Sequence, residues 1–282
     1  MTKDELLTQV NRFPDPEPKQ MILSVIDDKA CLDATAAIHK GGRDAWLMLI
    51  DLLVDTDPAK DCKARHALHT LVHHACGLGE KERAALAETI ASQITGSRAK
   101  EIRAFLIHQL RLCAGKESVA ALGKVLLDED LCDPACAALA SIGTSASTGA
   151  AGPLQAALPQ ATARQKLAIL QTLGYLSDIA SVPAFRAALS DKDRDTRIVA
   201  GWSLSRIGDA GSVDLLLARA EKSEGWERTQ QTKHCLVLAE KLAVADTRDI
   251  AARIYKTLAA RHSDPKELYI KEAAERGLKA VG

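Results

Sequence analysis

Apolar residues recur along most of this chain at three- and four-residue intervals, in runs separated by short polar or glycine-containing breaks. The segment DKDRDTRIVAGWSLSRIGDAGSVDLLLARA, from Asp191 to Ala220, shows the pattern. Acids and arginines open it, and Ile198, Ala200, Trp202, Leu204 and Ile207 follow at helical spacing. Gly208-Asp209 then breaks the run, and Val213, Leu216 and Leu217 form the stripe of a second helix. Each such segment predicts helix, turn, helix. Pro58, Pro134, Pro153 and Pro183 fall near predicted helix starts or connections, where a missing amide donor does least harm.

The same phrase is repeated. LGYLSDIASVPAFRAALSDKD, from Leu173, aligns with LSRIGDAGSVDLLLARAEKSE, from Leu204, after a shift of 31 residues. Leu176 falls on Ile207, Asp178 on Asp209, and Ser181-Val182 on Ser212-Val213. Fainter copies precede and follow. Together they predict about seven units at a period that signals a solenoid, with bounds 19–57, 58–96, 97–130, 131–161, 162–193, 194–226 and 227–265. Residues 1–18, which include FPDPEP, are expected to form an irregular lead-in, and 266–282 a capping helix. One helix pair cannot bury its apolar side alone, so stacked neighbours must supply the core.

The string D-x-D-x-D-T-R-x-x-A-x-x-S-L-x-x-I-G-D-A-x-S-V, from Asp191 to Val213, resembles the HEAT-like repeat, in the subtype first associated with phycobilisome lyases. The acids before Arg197, the Ala200 position, the Ile207-Gly208-Asp209 break and Val213 stand where that pattern has them. The resemblance implies an all-α fold, a right-handed α-solenoid of about seven helix pairs whose second helices line a concave surface. Such arrays serve as scaffolds, adaptors and clamps, and a few are enzymes, so the fold names no activity.

Composition sharpens the fold. Aromatic residues make up only 3% of the 282, and small unbranched apolar residues suit packed helices better than sheets. The 37 basic and 37 acidic side chains cancel, which disfavours nucleic acid as a partner because phosphate contacts need a local cationic excess. Seven scattered cysteines, an odd number, read as reduced small hydrophobes. The sequence has no run of signal-peptide or membrane-spanning character, so a cytoplasmic setting is expected unless the chain is cut from a longer secreted precursor.

The best metal-like constellation is C-x3-H-x2-H-x3-H-x2-C: Cys62, His66, His69, His73 and Cys76. At about 100° per residue the five share an arc of roughly 80° on one helix. A straight helix offers a zinc ion only two or three ligands, so a polar face at a helix–helix contact is the preferred reading. Deoxyhypusine hydroxylase, a HEAT-type iron enzyme, uses His-Glu dipeptides, and none of the eight histidines here precedes a glutamate. A HEAT-like DNA glycosylase would use tryptophan, aspartate and arginine on its concave face. Trp202, Trp226, Arg194, Arg197, Arg206 and Arg228 are present, but acids are as numerous there, and Trp202 reads as core. A bilin-lyase role rests on repeat subtype alone. No phosphate loop or nucleophile elbow appears.

The expected function is therefore that of a non-catalytic monomeric scaffold, without cofactor, that binds a protein or peptide along its second helices. The alternative is a metal-binding or enzymatic protein of the bilin-lyase or DNA-glycosylase kind. The expected contacts lie at the turns: Lys116, Glu117, Asp178, Asp209, Ser212 and Asp249, with Trp226 between units as the aromatic expected to be exposed.

Overall fold

The computed structural model describes residues 1–14, 28–54, 60–143, 148–244 and 247–282. Its first element corrects the expected irregular lead-in. The Glu5 amide donates to the Thr2 hydroxyl, and the Thr2 amide donates back to the Glu5 carboxylate at 2.7 Å. That reciprocal cap starts helix α1, Lys3–Val10, which buries Leu6 and Val10. The signal, T-x-x-E before an apolar pair, was present in the sequence. Pro58 lies outside the described residues.

Among the described residues seven helix pairs follow. They are α2 and α3 (Asp28–Lys40, Gly42–Asp51), α4 and α5 (Cys62–Leu78, Glu80–Ala91), α6 and α7 (Lys100–Cys113, Val119–Gly123), and α8 and α9 (Cys132–Ser141, Ala151–Ala157). The series continues with α10 and α11 (Ala163–Tyr175, Val182–Ala188), α12 and α13 (Arg194–Ile207, Val213–Lys222), and α14 and α15 (Gly225–Val244, Arg248–Arg261), then α16 (Leu268–Val281). Among the described residues there is no strand, and no helix is long and apolar enough to cross a membrane.

The chain clusters into two compact units, Met1–Ala157 and Leu158–Gly282, a division that the repeat spacing alone does not mark. In the first unit, the leading helices α2, α4, α6 and α8 pack on one another in turn. The trailing helices do likewise, α3 on α5 and α7 on α9. Phe13 closes this unit's beginning, fully buried with its ring edge-on to His66 at 5.2 Å. In the second unit, α12 lies between α10 and α14, and α15 packs against both α14 and α16. Each unit thus has a strip of core shared by neighbouring pairs, with Leu68, Leu71, Leu86 and Ile90 in the first and Leu170, Phe185, Leu204 and Leu216 in the second.

The approach of α12 to its neighbours is set by small residues. A Cβ on Gly174 would meet the Ser203 hydroxyl and the Trp202 ring, and one on Gly201 would meet Gln231 and His234. Bulky side chains have no room on those contact lines. Ala200, Gly201, Ser203 and Leu204 are therefore the buried set, and Ile198 and Trp202 are pushed to half-buried positions. Trp202 is thus not core, contrary to expectation. Gly208 ends α12 at φ 80°, a left-handed conformation in which glycine carries no Cβ penalty.

Candidate functional site

The turn residues expected to meet a partner are mostly engaged inside the protein. Arg186, on α11, donates to Asp209 at 2.7 Å and to the Ser212 hydroxyl at 2.8 Å, both in the turn of the next pair. The Ser212 hydroxyl in turn donates to Asp209. Ser212 is completely buried, so its assignment as a contact is corrected: it anchors the arginine and has no surface to offer. The same device recurs in the first unit, where Arg83 on α5 donates to Glu117 at 2.9 Å and to the Cys113 carbonyl, across the turn of the following pair. Glu117 also accepts from the Gly115 amide at 2.8 Å. Bonds to Glu80 and Glu117 push the Arg83 guanidinium's pKa up, so it is a fixed cation. Asp178 is half-buried and accepts from Ser181 at 2.5 Å. Lys116, Trp226 and Asp249 are exposed. The structure therefore separates the expected contacts into three surface residues and four that lie within or against the turns.

Acids and arginines of DKDRDTR hold the start of α12 and tie it to the next pair. Asp193 caps α12 by accepting from the Thr196 amide at 2.7 Å, and that bond holds its carboxyl below the ordinary carboxylate range. Arg197 donates to the Asp191 carbonyl at 2.9 Å and grips Glu227 of the next pair at 2.8 and 2.5 Å. Glu227 also accepts from Arg219 of α13 at 3.0 Å, so one buried carboxylate ties three helices. The Arg197 hydrogen bond, opposed by burial, lowers the Glu227 pKa. A second knot joins Arg228 to Glu267 at 2.8 Å and Glu267 to the buried His262 at 2.9 Å. There the Arg228 bond leads in lowering the Glu267 pKa to about 2.

The cysteine–histidine stripe of α4 faces α6. His69 Nδ1 lies 3.1 Å from the Gln109 amide oxygen, and the Cys76 thiol donates to the Leu112 carbonyl at 3.7 Å. The His69 and His73 rings meet edge to face at 4.7 Å. His66 lies against Phe13, and burial pushes its pKa down. Cys62 begins the helix and is half-buried. Among the described residues no three histidine, cysteine, aspartate or glutamate side chains converge where a metal ion could sit. The arrangement is a polar helix–helix seam.

On the second unit the leading helices carry a different surface. Tyr175, at the end of α10, stacks edge-on against Trp202 of α12 at 4.9 Å. The Arg206 guanidinium lies 5.1 Å from the Trp202 ring centre and 6.0 Å from that of Tyr175. Tyr175 is 49% exposed. Beyond it, α14, α15 and α16 enclose an open groove of about 560 Å³, whose walls include Leu236, Glu240, Val244, Tyr255, Arg276 and Val281.

Residues 151–236 match the family model described as HEAT repeats. That stretch carries HEAT repeats. Solved structures agree with this fold. An engineered protein from the Northeast Structural Genomics Consortium superposes with a TM-score of 0.51 at 16% identity, over 98% of this chain and 77% of its own. Lipovitellin superposes at 0.53 and 15% identity over 99% of this chain, which spans 33% of the lipovitellin chain. The CpcE–CpcF phycocyanin lyase complex of Nostoc sp. PCC7120 gives 0.44 at 13% identity, over 95% of this chain and all of its own. No curated protein matches the sequence.

Two features of the HEAT-like surface escaped the sequence reading. The Tyr175–Trp202–Arg206 cluster was hidden because Trp202 sits in an apolar run. Its signal was Gly174, 28 residues before Trp202, close to the repeat spacing that sets neighbouring helices side by side. The groove beside α16 had no local signal, since its walls come from three helices.

Proposed function

We propose that this HEAT-repeat protein is a non-catalytic scaffold that binds a protein or peptide partner across successive helix pairs. The observation that supports it most is the distribution of exposed large apolar side chains over several elements of the second unit: Tyr175, Ile179, Leu215, Trp226 and Val244, the last 90% exposed. Single exposed apolar residues are ordinary, but a succession along a repeat surface suits an extended partner. The polar groups with catalytic potential are otherwise engaged. Glu227, Glu267, Asp209 and Glu117 are each held by arginine in contacts that fix one pair against the next.

Lys116, Trp226 and Asp249 are the contacts retained from the turns. The test is affinity capture from the source cell with chemical cross-linking, followed by reconstitution of the complex from purified components. A stoichiometric protein complex weakened several-fold by Trp226→Ala is expected. Absence of any stoichiometric partner, or turnover of a small molecule by the purified chain, overturns the reading.

A further inference from the structure

Four cations on the leading-helix side of the second unit have no carboxylate partner among the described residues: Arg206, Lys233, Lys241 and Arg276. Other arginines of the second unit are paired, Arg186 with Asp209, Arg197 with Glu227, Arg228 with Glu267, Arg253 with Asp214 and Arg261 with Glu221. Arg248, at the start of α15 and in the groove beside α16, is a further cation without such a partner among the described residues. The unpaired set is contiguous. Arg206 covers the Trp202 ring near the end of α12. The Lys241 stem lies against Gly208 at the end of that same helix. Lys233, Val237, Lys241 and Val244 follow at intervals of four, four and three residues, which places them on one stripe of α14. Val244 and Arg276 then share the groove beside α16. The carboxylate facing this stretch is Glu240, also in the groove. Aromatic rings thus stand at one end, an aliphatic groove at the other, and a cationic stripe between them.

We propose that this face binds an acidic peptide segment carrying apolar side chains, with carboxylates at Arg206, Lys233 and Lys241 and an aliphatic or aromatic side chain in the groove. The inference rests on the scaffold reading and deepens it by naming the face and the partner's chemistry. The groove decides for peptide over nucleic acid. Its walls include Leu236, Ala243, Val244, Ala273 and Val281, and a peptide has aliphatic groups to fill such a space, whereas a polynucleotide does not. Unpaired cations beside exposed rings favour carboxylates, because the guanidinium over Trp202 stays available at its edge for a bidentate bond.

The test uses the full chain and three labelled probes: a pool of short peptides randomised among Asp, Glu, Leu and Phe, a matched pool with Lys in place of the acids, and a random single-stranded oligonucleotide. Fluorescence anisotropy is expected to show binding of the acidic pool alone. The paired variant Arg206→Glu with Lys241→Glu should weaken it at least about tenfold, while Lys256→Glu on α15 leaves it unchanged. Tryptophan emission should change on binding, and Trp202→Phe should reduce that change. If circular dichroism shows the reversed pair to be misfolded, Arg206→Gln with Lys241→Gln should give the same effect in smaller measure. Binding of the acidic pool that is indifferent to Arg206 and Lys241 overturns the face while the scaffold reading stands. Equal binding of the basic pool, tighter binding of the oligonucleotide, or no peptide binding overturns the proposal. The scaffold itself is judged separately by the captured complex.

Discussion

Glu227→Gln isolates the most densely bonded contact between repeats. The carboxylate is 6% exposed and holds Arg197 and Arg219, whose side chains keep 15% and 22% of their surface in water. Removing its charge leaves two guanidiniums facing a neutral amide that can accept but not compensate. Breaking a buried ion pair costs about 3–5 kcal/mol. The two arginines retain some solvent, and Arg197 keeps its bonds to the Asp191 and Lys192 carbonyls, so the expected loss is smaller, about 2–3 kcal/mol. The assay is urea denaturation in a Trp46→Phe background, where the remaining tryptophans, Trp202 and Trp226, both report on the second unit. The midpoint should fall with little change in slope.

Acid titration gives a second, independent sign. Arg197 lowers the Glu227 pKa, so the stabilisation is complete above the carboxylate's unfolded value and is lost as pH falls through the folded one. Glu227→Gln should flatten that acid limb. A neutral-pH loss below about 0.5 kcal/mol, the size of an exposed pair, would refute the claim that this carboxylate ties the three helices together.

His234 is buried, and burial followed by the Lys233 charge lowers its pKa to about 4. The unfolded chain therefore binds the extra proton between pH ~6.5 and ~4, and stability falls with pH across that window by up to about 3 kcal/mol. Urea melts of wild type and His234→Gln at neutral pH and near pH 5 should show a steeper loss in the wild type. Gly174→Ala should destabilise by about 1–3 kcal/mol, because overpacking against Ser203 and Trp202 outweighs alanine's helix propensity. A thermal melt with an unchanged or raised midpoint would contradict that close approach. Cys113 and Cys235 are buried, and burial pushes both thiols up to about 12. Ellman's reagent on the folded protein should label Cys62 and Cys76 before either of them, and mass spectrometry of the labelled peptides checks the order.

How far the sequence could be read depended on what each residue had to touch. On α4 the buried set, Ala64, Ala67, Leu68, Leu71, Val72 and Ala75, recurs at helical intervals, because periodicity alone determines which face is apolar there. On α12 the same rule pointed to Ile198 and Trp202, and there it failed. The interhelical distance at Gly174 and Gly201 admits only small side chains, and distance is not encoded in periodicity. The role of Arg197 follows from its place in the chain, since an arginine one turn into a helix has carbonyls and a neighbouring repeat within reach. The Arg186–Asp209–Ser212 contact does not, because it requires the orientation of one pair against the next. The exposed positions of Lys116, Trp226 and Asp249 followed from turn composition, whereas the grip on Glu117 and Asp209 did not.

That failure bears on where function should be sought in a repeat array. A stack of helix pairs held by apolar contacts alone could slide, since one leucine packs much like another. Polar contacts with fixed geometry set the register, and the turns are where arginine from one pair can reach acids of the next. Arg83–Glu117 and Arg186–Asp209 do this in separate units with the same chemistry. Turn acids are therefore largely committed to the stack, however exposed they look in sequence. What stacking leaves unused is the better guide. On the second unit that is the row running from Tyr175 through Arg206 and Lys241 to Arg276, whose cations meet no carboxylate partner among the described residues. Stability in water does not require such a row. A partner bearing carboxylates would give it one use that the fold does not.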